Sequence, residues 1–192
     1  EGFESETVLL STTPGGEMFV VADDEVNLYE RRKARPIRTF APKPKDITAV
    51  ELSRDRRMLA GGTAEGQIHL WNARNGGLQH VFRDETPLPP IRKIRFGLGS
   101  SLFGFISKNH HELIVYETVA PFRRYNFSHQ DNITDFEFSQ DGRKGFSICA
   151  GSPTRLHHWN LVTKQKIRGI SIFKESRNVQ VAFGEGDNLG VF

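Results

Sequence analysis

Four aromatic residues end short apolar runs at a nearly constant spacing, and that period constrains the fold more than anything else in the chain. They are Tyr29 in VNLYE, Trp71 in IHLWN, Tyr116 in LIVYE and Trp159 in LHHWN, spaced by 42, 45 and 43 residues. A polar residue follows each of them: Glu30, Asn72, Glu117 and Asn160. Two further series keep the same register. Eleven residues after each aromatic stands an apolar residue, Phe40, Phe82, Phe127 or Ile170. Leu10, Leu52, Phe96 and Phe138 precede the aromatics by 19 to 21 residues, and Phe183 opens a fifth unit. A period of this length marks a supersecondary unit that cannot bury its apolar faces alone.

Within a unit the patterning is that of strands. ITAVELS (47–53), IRKIRF (91–96), ITDFEFS (133–139) and NVQVAF (178–183) alternate apolar with polar residues, as a half-buried strand requires. Turn signals follow: PGGE at 14–17, RDR at 54–56, GLGS at 97–100 and QDGR at 140–143. Small apolar runs come next, MFVVA, MLAGG, LFGFIS and GFSICA, which read as strands covered on both faces. No segment carries a helical stripe. Each unit is therefore expected to be four antiparallel strands, over residues 7–40, 47–82, 91–127 and 133–172, with 178–192 an incomplete fifth. Radial stacking of such sheets buries both faces of each, so the expected class is an all-β propeller. A β-sandwich also uses short regular strands, but it does not demand one aromatic at one offset in every unit.

The motifs resemble the WD-repeat (WD40) family. AGGTAEGQIHLWN (60–72) is similar to its second strand, turn and third strand, with Trp-Asn in place of Trp-Asp. SHQDNITDFEFSQDG (128–142) resembles its Gly-His, first strand and Asp-Gly turn, and His129 falls at the family's buried histidine. The resemblance runs from residue 7 to 192 and implies a scaffold of about seven blades, of which four and a half lie in this chain. It also implies, within a blade, a buried network of His, Ser or Thr, Asp and Trp. No unit has all four. The second has Thr63 and Trp71 but no histidine in KPKDIT; the fourth has His129, Ser147 or Ser152, and Trp159, with Pro153 at the turn Asp. The first and third units carry Tyr29 and Tyr116 in place of Trp. Degenerate blades are expected, held by packing. The half unit and the missing initiator Met lead us to expect a segment of a longer protein.

Chemistry is harder to find. Cys149 is the lone cysteine of 192 residues; it cannot form an intrachain disulfide and sits in an apolar run, where an inert thiol is expected. With no signal peptide and no apolar run of about 18 residues, the expectation is an intracellular protein, cytoplasmic or nuclear, without membrane insertion. His157 and His158, adjacent on a strand, point to opposite faces and make a poor chelate; His110 and His111 read as a turn pair. GEGDNLG (184–190) lacks the Lys and helix of a phosphate loop. No catalytic residue, no metal ligands and no cofactor are expected.

Charge is more informative than the net value of +3. In a propeller, the turns between the first and second strands and between the third and fourth emerge on one side. On that side stand Arg31, Arg32, Lys33, Arg35, Arg54, Arg56, Arg57, Arg123, Arg124, Arg143, Lys144, Lys164 and Lys166, against five acids. The other side is acid-rich, with ten acids to seven bases. The function expected first is a scaffold that binds other protein subunits in a large intracellular assembly. The alternative is an RNA-contacting subunit of a ribonucleoprotein complex, as in ribosome biogenesis. Either an acidic protein segment or RNA would meet the basic side, although mixed surface charge also serves solubility alone. The proline-rich connection FRDETPLPPI (82–91) reads as a stiff surface loop or a partner contact.

Overall fold

The computed structural model describes residues 9–12, 18–22, 25–42, 44–97, 100–139, 141–173, 180–183 and 189–191. No α-helix occurs among them. The chain divides after Ile94 into two compact units, the boundary falling inside the ninth strand.

Strands β1 (Leu9–Thr12), β2 (Met18–Ala22), β3 (Val26–Glu30) and β4 (Arg38–Phe40) form the first sheet. The second contains β5 (Ile47–Leu52), β6 (Met58–Thr63), β7 (Ile68–Asn72) and β8 (Leu78–Phe82). The third contains β9 (Ile91–Phe96), β10 (Leu102–Ser107), β11 (Glu112–Glu117) and β12 (Arg124–Ser128). The fourth contains β13 (Ile133–Phe138), β14 (Lys144–Cys149), β15 (Thr154–Asn160) and β16 (Gln165–Phe173), and β17 (Val181–Phe183) pairs with β18 (Leu189–Val191). Each four-stranded sheet is a meander in chain order.

The sheets repeat one register. Phe19 faces Tyr29, Leu59 faces Trp71, Phe103 faces Tyr116 and Gly145 faces Trp159 across the second and third strands. Trp71 is wholly buried, Trp159 and Tyr116 nearly so, and Tyr29 half-buried. The apolar residue eleven positions on explains the period. In the first unit Phe40 packs against Trp71, with ring centroids 6.1 Å apart. In the second Phe127 packs against Trp159 at 5.0 Å. Within each unit a fourth-strand phenylalanine thus packs on the aromatic of the following sheet. Ile170 breaks the series: it is 37% exposed where Phe40 and Phe127 are buried.

Consecutive sheets also meet through their first strands. Ser11 Oγ on β1 accepts the amide of Leu52 on β5 at 3.0 Å, and Asp135 on β13 accepts the amide of Val181 on β17 at 2.9 Å. The first core contains Val20, Leu28, Leu52 and Leu59 around Phe40 and Trp71; the second contains Ile106, Leu113, Phe136 and Phe138 around Phe127 and Trp159.

Candidate interaction face

Serine-aspartate turns set the basic ends of the sheets. Between β5 and β6, Ser53 Oγ donates to Asp55 and accepts the amide of Met58, while Asp55 accepts the amide of Arg57. Between β13 and β14 the same bonds join Ser139, Asp141, Lys144 and Arg143. The Ser139 hydroxyl, then the Arg143 amide, hold the Asp141 carboxyl below its usual pKa. Arg56, at φ 60°, takes the left-handed position that Gly142 fills at φ 65°, so the backbone itself throws an arginine outward. One backbone bond then ties each such turn to the turn after the third strand. Ala73 donates to Arg57, Thr118 to Ser101 and Leu161 to Arg143, at 2.8, 3.0 and 2.8 Å.

In the first unit Arg31 and Arg32, from the β3–β4 turn, line one pocket of about 510 Å³ with Arg56, Glu30 and Met18. Lys33 is already paired with Glu30 at 2.7 Å, and Arg57 lies 3.7 Å from Asp55. Arg54 and Arg35 are exposed in the two turns. A smaller pocket adds Arg74 beside Arg57. Arg74 was not among the expected residues, although it follows Trp71 by three positions as Arg32 follows Tyr29.

In the second unit Arg123 and Arg124 enter β12, Arg143 and Lys144 enter β14, and Lys164 sits between β15 and β16. Lys164 Nζ lies 4.2 Å over the ring of Tyr125, whose hydroxyl donates to Glu117 at 2.8 Å. That bond raises the Tyr125 pKa above its ordinary value, while burial lowers that of Lys164. Val119 and Val162, exposed in the same turns, add apolar surface that charge-based reading missed. Lys166 does not join this end. It lies within β16, and its side chain runs along the strand to line a different groove, with Arg155 and His157. Of the residues counted on the acid-rich side, Asp23, Asp24, Lys43, Lys174, Glu175 and Arg177 lie outside the described residues, as does Glu17 on the basic side.

Among the described residues, a buried His–Ser–Trp network forms in the fourth sheet, without the aspartate. His129 Nδ1 lies 2.9 Å from the carbonyl of Phe127, so that nitrogen carries the proton. Its Nε2 therefore accepts from Ser147 Oγ at 2.6 Å, and Ser147 accepts the Trp159 indole N–H at 2.7 Å. Ser147, not Ser152, is the hydroxyl. Three of the four groups that the resemblance to the WD-repeat family implies thus meet in this sheet. In the second sheet the matching position is Gly61, opposite His69 as Ser147 is opposite His157. A Cβ there would stand 2.8 Å from the Trp71 ring, so Trp71 packs flat on the glycine and its indole nitrogen has no partner. Thr63 is not its partner; its hydroxyl accepts the amide of Gln67.

No protein-family model and no curated protein matches the sequence. Among solved structures, the chain is similar to the β-propeller domain of Cps50 (Swd1) from Myceliophteria thermophila. The TM-score is 0.79 at 15% identity, over 97% of this chain. The fold is a WD-type β-propeller. The chain spans 62% of that domain's length, so its sheets are blades of a partial propeller.

Other candidate chemistry is sparse in these blades. His157 and His158 do point apart: His157 stacks on His129 at 4.6 Å, and His158 on Phe146 at 4.3 Å. The His110 and His111 rings stack at 5.1 Å. Burial pushes the Cys149 thiol up to about 11, away from nucleophilic character. Among the described residues no three His, Cys, Asp or Glu side chains group so as to hold a metal ion. No helix there is long and apolar enough to cross a membrane.

Proposed function

We propose that this chain is part of a non-catalytic scaffold, and that the basic turns of its blades dock acidic segments of other protein subunits. The observation that carries the reading is the convergence of Arg31, Arg32 and Arg56 on one pocket that Met18 also lines. Three guanidiniums from two blades meet one carboxylate there, Glu30. Guanidinium groups hold carboxylates in a bidentate fork, and the methionine gives an apolar contact that adapts to a side chain. Val119 and Val162 supply similar apolar surface beside the basic turns of the second unit.

The RNA alternative is less well supported. Single-stranded RNA is held by stacking on exposed aromatic faces as well as by charge. Tyr125, among the cations of the second unit, is covered by Lys164, and Phe122 beside Arg123 is half-buried.

Fluorescence anisotropy with a labelled glutamate-rich peptide tests the reading. Binding is expected to weaken as salt rises, since screening lengths shorten. Reversing Arg31, Arg32 and Arg56 to Glu should abolish most of it, and reversing Lys45, between β4 and β5, and Lys108, between β10 and β11, at the opposite strand ends, should do little. Equal losses from both sets, or no salt-sensitive binding, contradict it. Tighter binding of an oligouridylate than of the peptide would favour RNA instead.

A further inference from the structure

The proline-rich connection between β8 and β9 lies within the first unit and belongs to none of the basic turns. Its run TPLPPIR (86–92) has the form Pro-x-x-Pro-x-Arg. A proline ring fixes its own φ near the polyproline II value, and it holds the residue before it extended. Pro87, Pro89 and Pro90 are fixed by their rings, and Thr86, Leu88 and Pro89 each precede a proline. Every residue from 86 to 90 is thus restricted by its own ring or by its neighbour's. Residues 87–90 belong to no helix, strand or turn, and none of them has a positive φ. An extended chain without internal hydrogen bonds is what polyproline II leaves.

Such a chain repeats every third residue, so it has three edges. Leu88 and Ile91 form one edge, and the second blade takes it. Gly66, in the turn after β6, lies under Leu88: a Cβ there would stand 2.6 Å from Leu88 Cβ. Gly62, on β6, lies under Ile91, and a Cβ there would stand 2.5 Å from Ile91 Cβ. Ile91 is 1% exposed, and its carbonyl accepts the Thr48 hydroxyl at 2.6 Å, which fixes the end of the run. The other two edges face outward. Thr86, Pro87, Pro90 and Arg92 are exposed, and Pro89 is half-buried. Charge gives the run a direction, with Glu85 before it and Arg92 at its end. We propose that residues 86–92 dock a partner domain with an aromatic-lined groove of the SH3 kind. Thr86-Pro87 and Pro89-Pro90 fill two apolar pockets, and Arg92 meets a carboxylate at the end of the groove. Grooves of this kind take a proline-rich chain as a preformed polyproline II helix, and a guanidinium–carboxylate pair orients it. Leu88 and Ile91 are the positions that point away from such a groove, and they are the two that the blade holds. This site is independent of the basic turns and survives the failure of that reading.

Isothermal titration calorimetry of the 192-residue chain tests it. The probe is a purified SH3 domain that binds free Pro-x-x-Pro-x-Arg peptides, and a synthetic peptide of residues 84–94 is the reference ligand. The folded chain is expected to bind one domain, at least as tightly as the peptide, because the blade already orders the run. Pro87→Ala combined with Pro90→Ala should weaken binding by about tenfold or more, and Arg92→Glu should do the same, the usual effect of losing one charge-assisted bond. All three side chains are exposed, so thermal midpoints should show these variants folded. Reversing Arg31, Arg32 and Arg56 to Glu should leave this binding unchanged, which separates it from capture of an acidic peptide. A free peptide that binds while the folded chain does not would show that the blade hides the edges the groove needs. That result, no binding by either ligand, or equal binding by the proline and Arg92 variants would overturn the proposal.

Discussion

The residue that distinguishes one blade from the others is Ser147. Its hydroxyl stands between a buried indole N–H and a buried imidazole, accepting from the first and donating to the second. Ser147→Ala leaves both groups without a partner, and each buried orphan costs about 1–3 kcal/mol. A urea midpoint that did not move would show that this network contributes nothing. The second blade has solved the same position by packing. Trp71→Ala should cost about 3–5 kcal/mol, as expected for emptying a large aromatic site. Gly61→Ala should also destabilise, because the added methyl meets the Trp71 ring. The buried imidazoles give a pH dependence of definite sign. Burial, then the charge of His157, lowers His129 to about 3; burial, then Lys166 and Arg155, lowers His157 to about 4. Both lie below the ordinary 6.5, so the unfolded chain takes up protons first as pH falls. Stability is complete above about 6.5 and declines toward 4 by up to about 1.4 kcal/mol per pH unit for each imidazole. Denaturant midpoints compared at neutral and mildly acidic pH check this, and a midpoint that rose on acidification would contradict it.

At the scale of the element, the turns carry both the folding signal and the charge. SRDRR (53–57) and SQDGR (139–143) differ at the left-handed position, Arg56 against Gly142. A non-glycine residue there costs about 1–2 kcal/mol, offset in part by the entropy that glycine adds to the unfolded chain. Arg56→Gly should therefore leave stability unchanged or raise it by up to about 1 kcal/mol, while weakening capture of an acidic peptide. Loss of stability would mean that the Arg56 side chain, not the backbone, holds the turn. The strands and the turns at RDR (54–56) and QDGR (140–143) were legible in the sequence because alternation and turn composition are local; the serine that closes each turn onto its aspartate was not read. Trp71 and Trp159 were legible for the same reason. The place of Lys166 was not. Its offset from Trp159 reads as a turn, but β16 begins at Gln165 and carries it along the strand. The partner of Trp71 was misread because Thr63 is near it in sequence, whereas strand register puts Gly61 beneath the ring. Arg74 was readable from its offset, since it follows Trp71 by three positions as Arg32 follows Tyr29, but it was not counted.

At the scale of the whole molecule, the period of about 43 residues and the packing of Phe40 on Trp71 and of Phe127 on Trp159 are one fact seen twice. The charge pattern belongs to this scale too, and it needs the repeat in register, because the cations stand in the turns after the first and third strands of the sheets. Amide hydrogen exchange on the folded chain tests that register most directly, because protection tracks the central strands of each sheet. The account predicts that the slowest amides fall in β6 and β7, β10 and β11, and β14 and β15, in blocks that recur with the period of Trp71, Tyr116 and Trp159. Protection without that period, or a long continuous block of the kind a helix gives, would contradict the blade assignment and the basic face built on it.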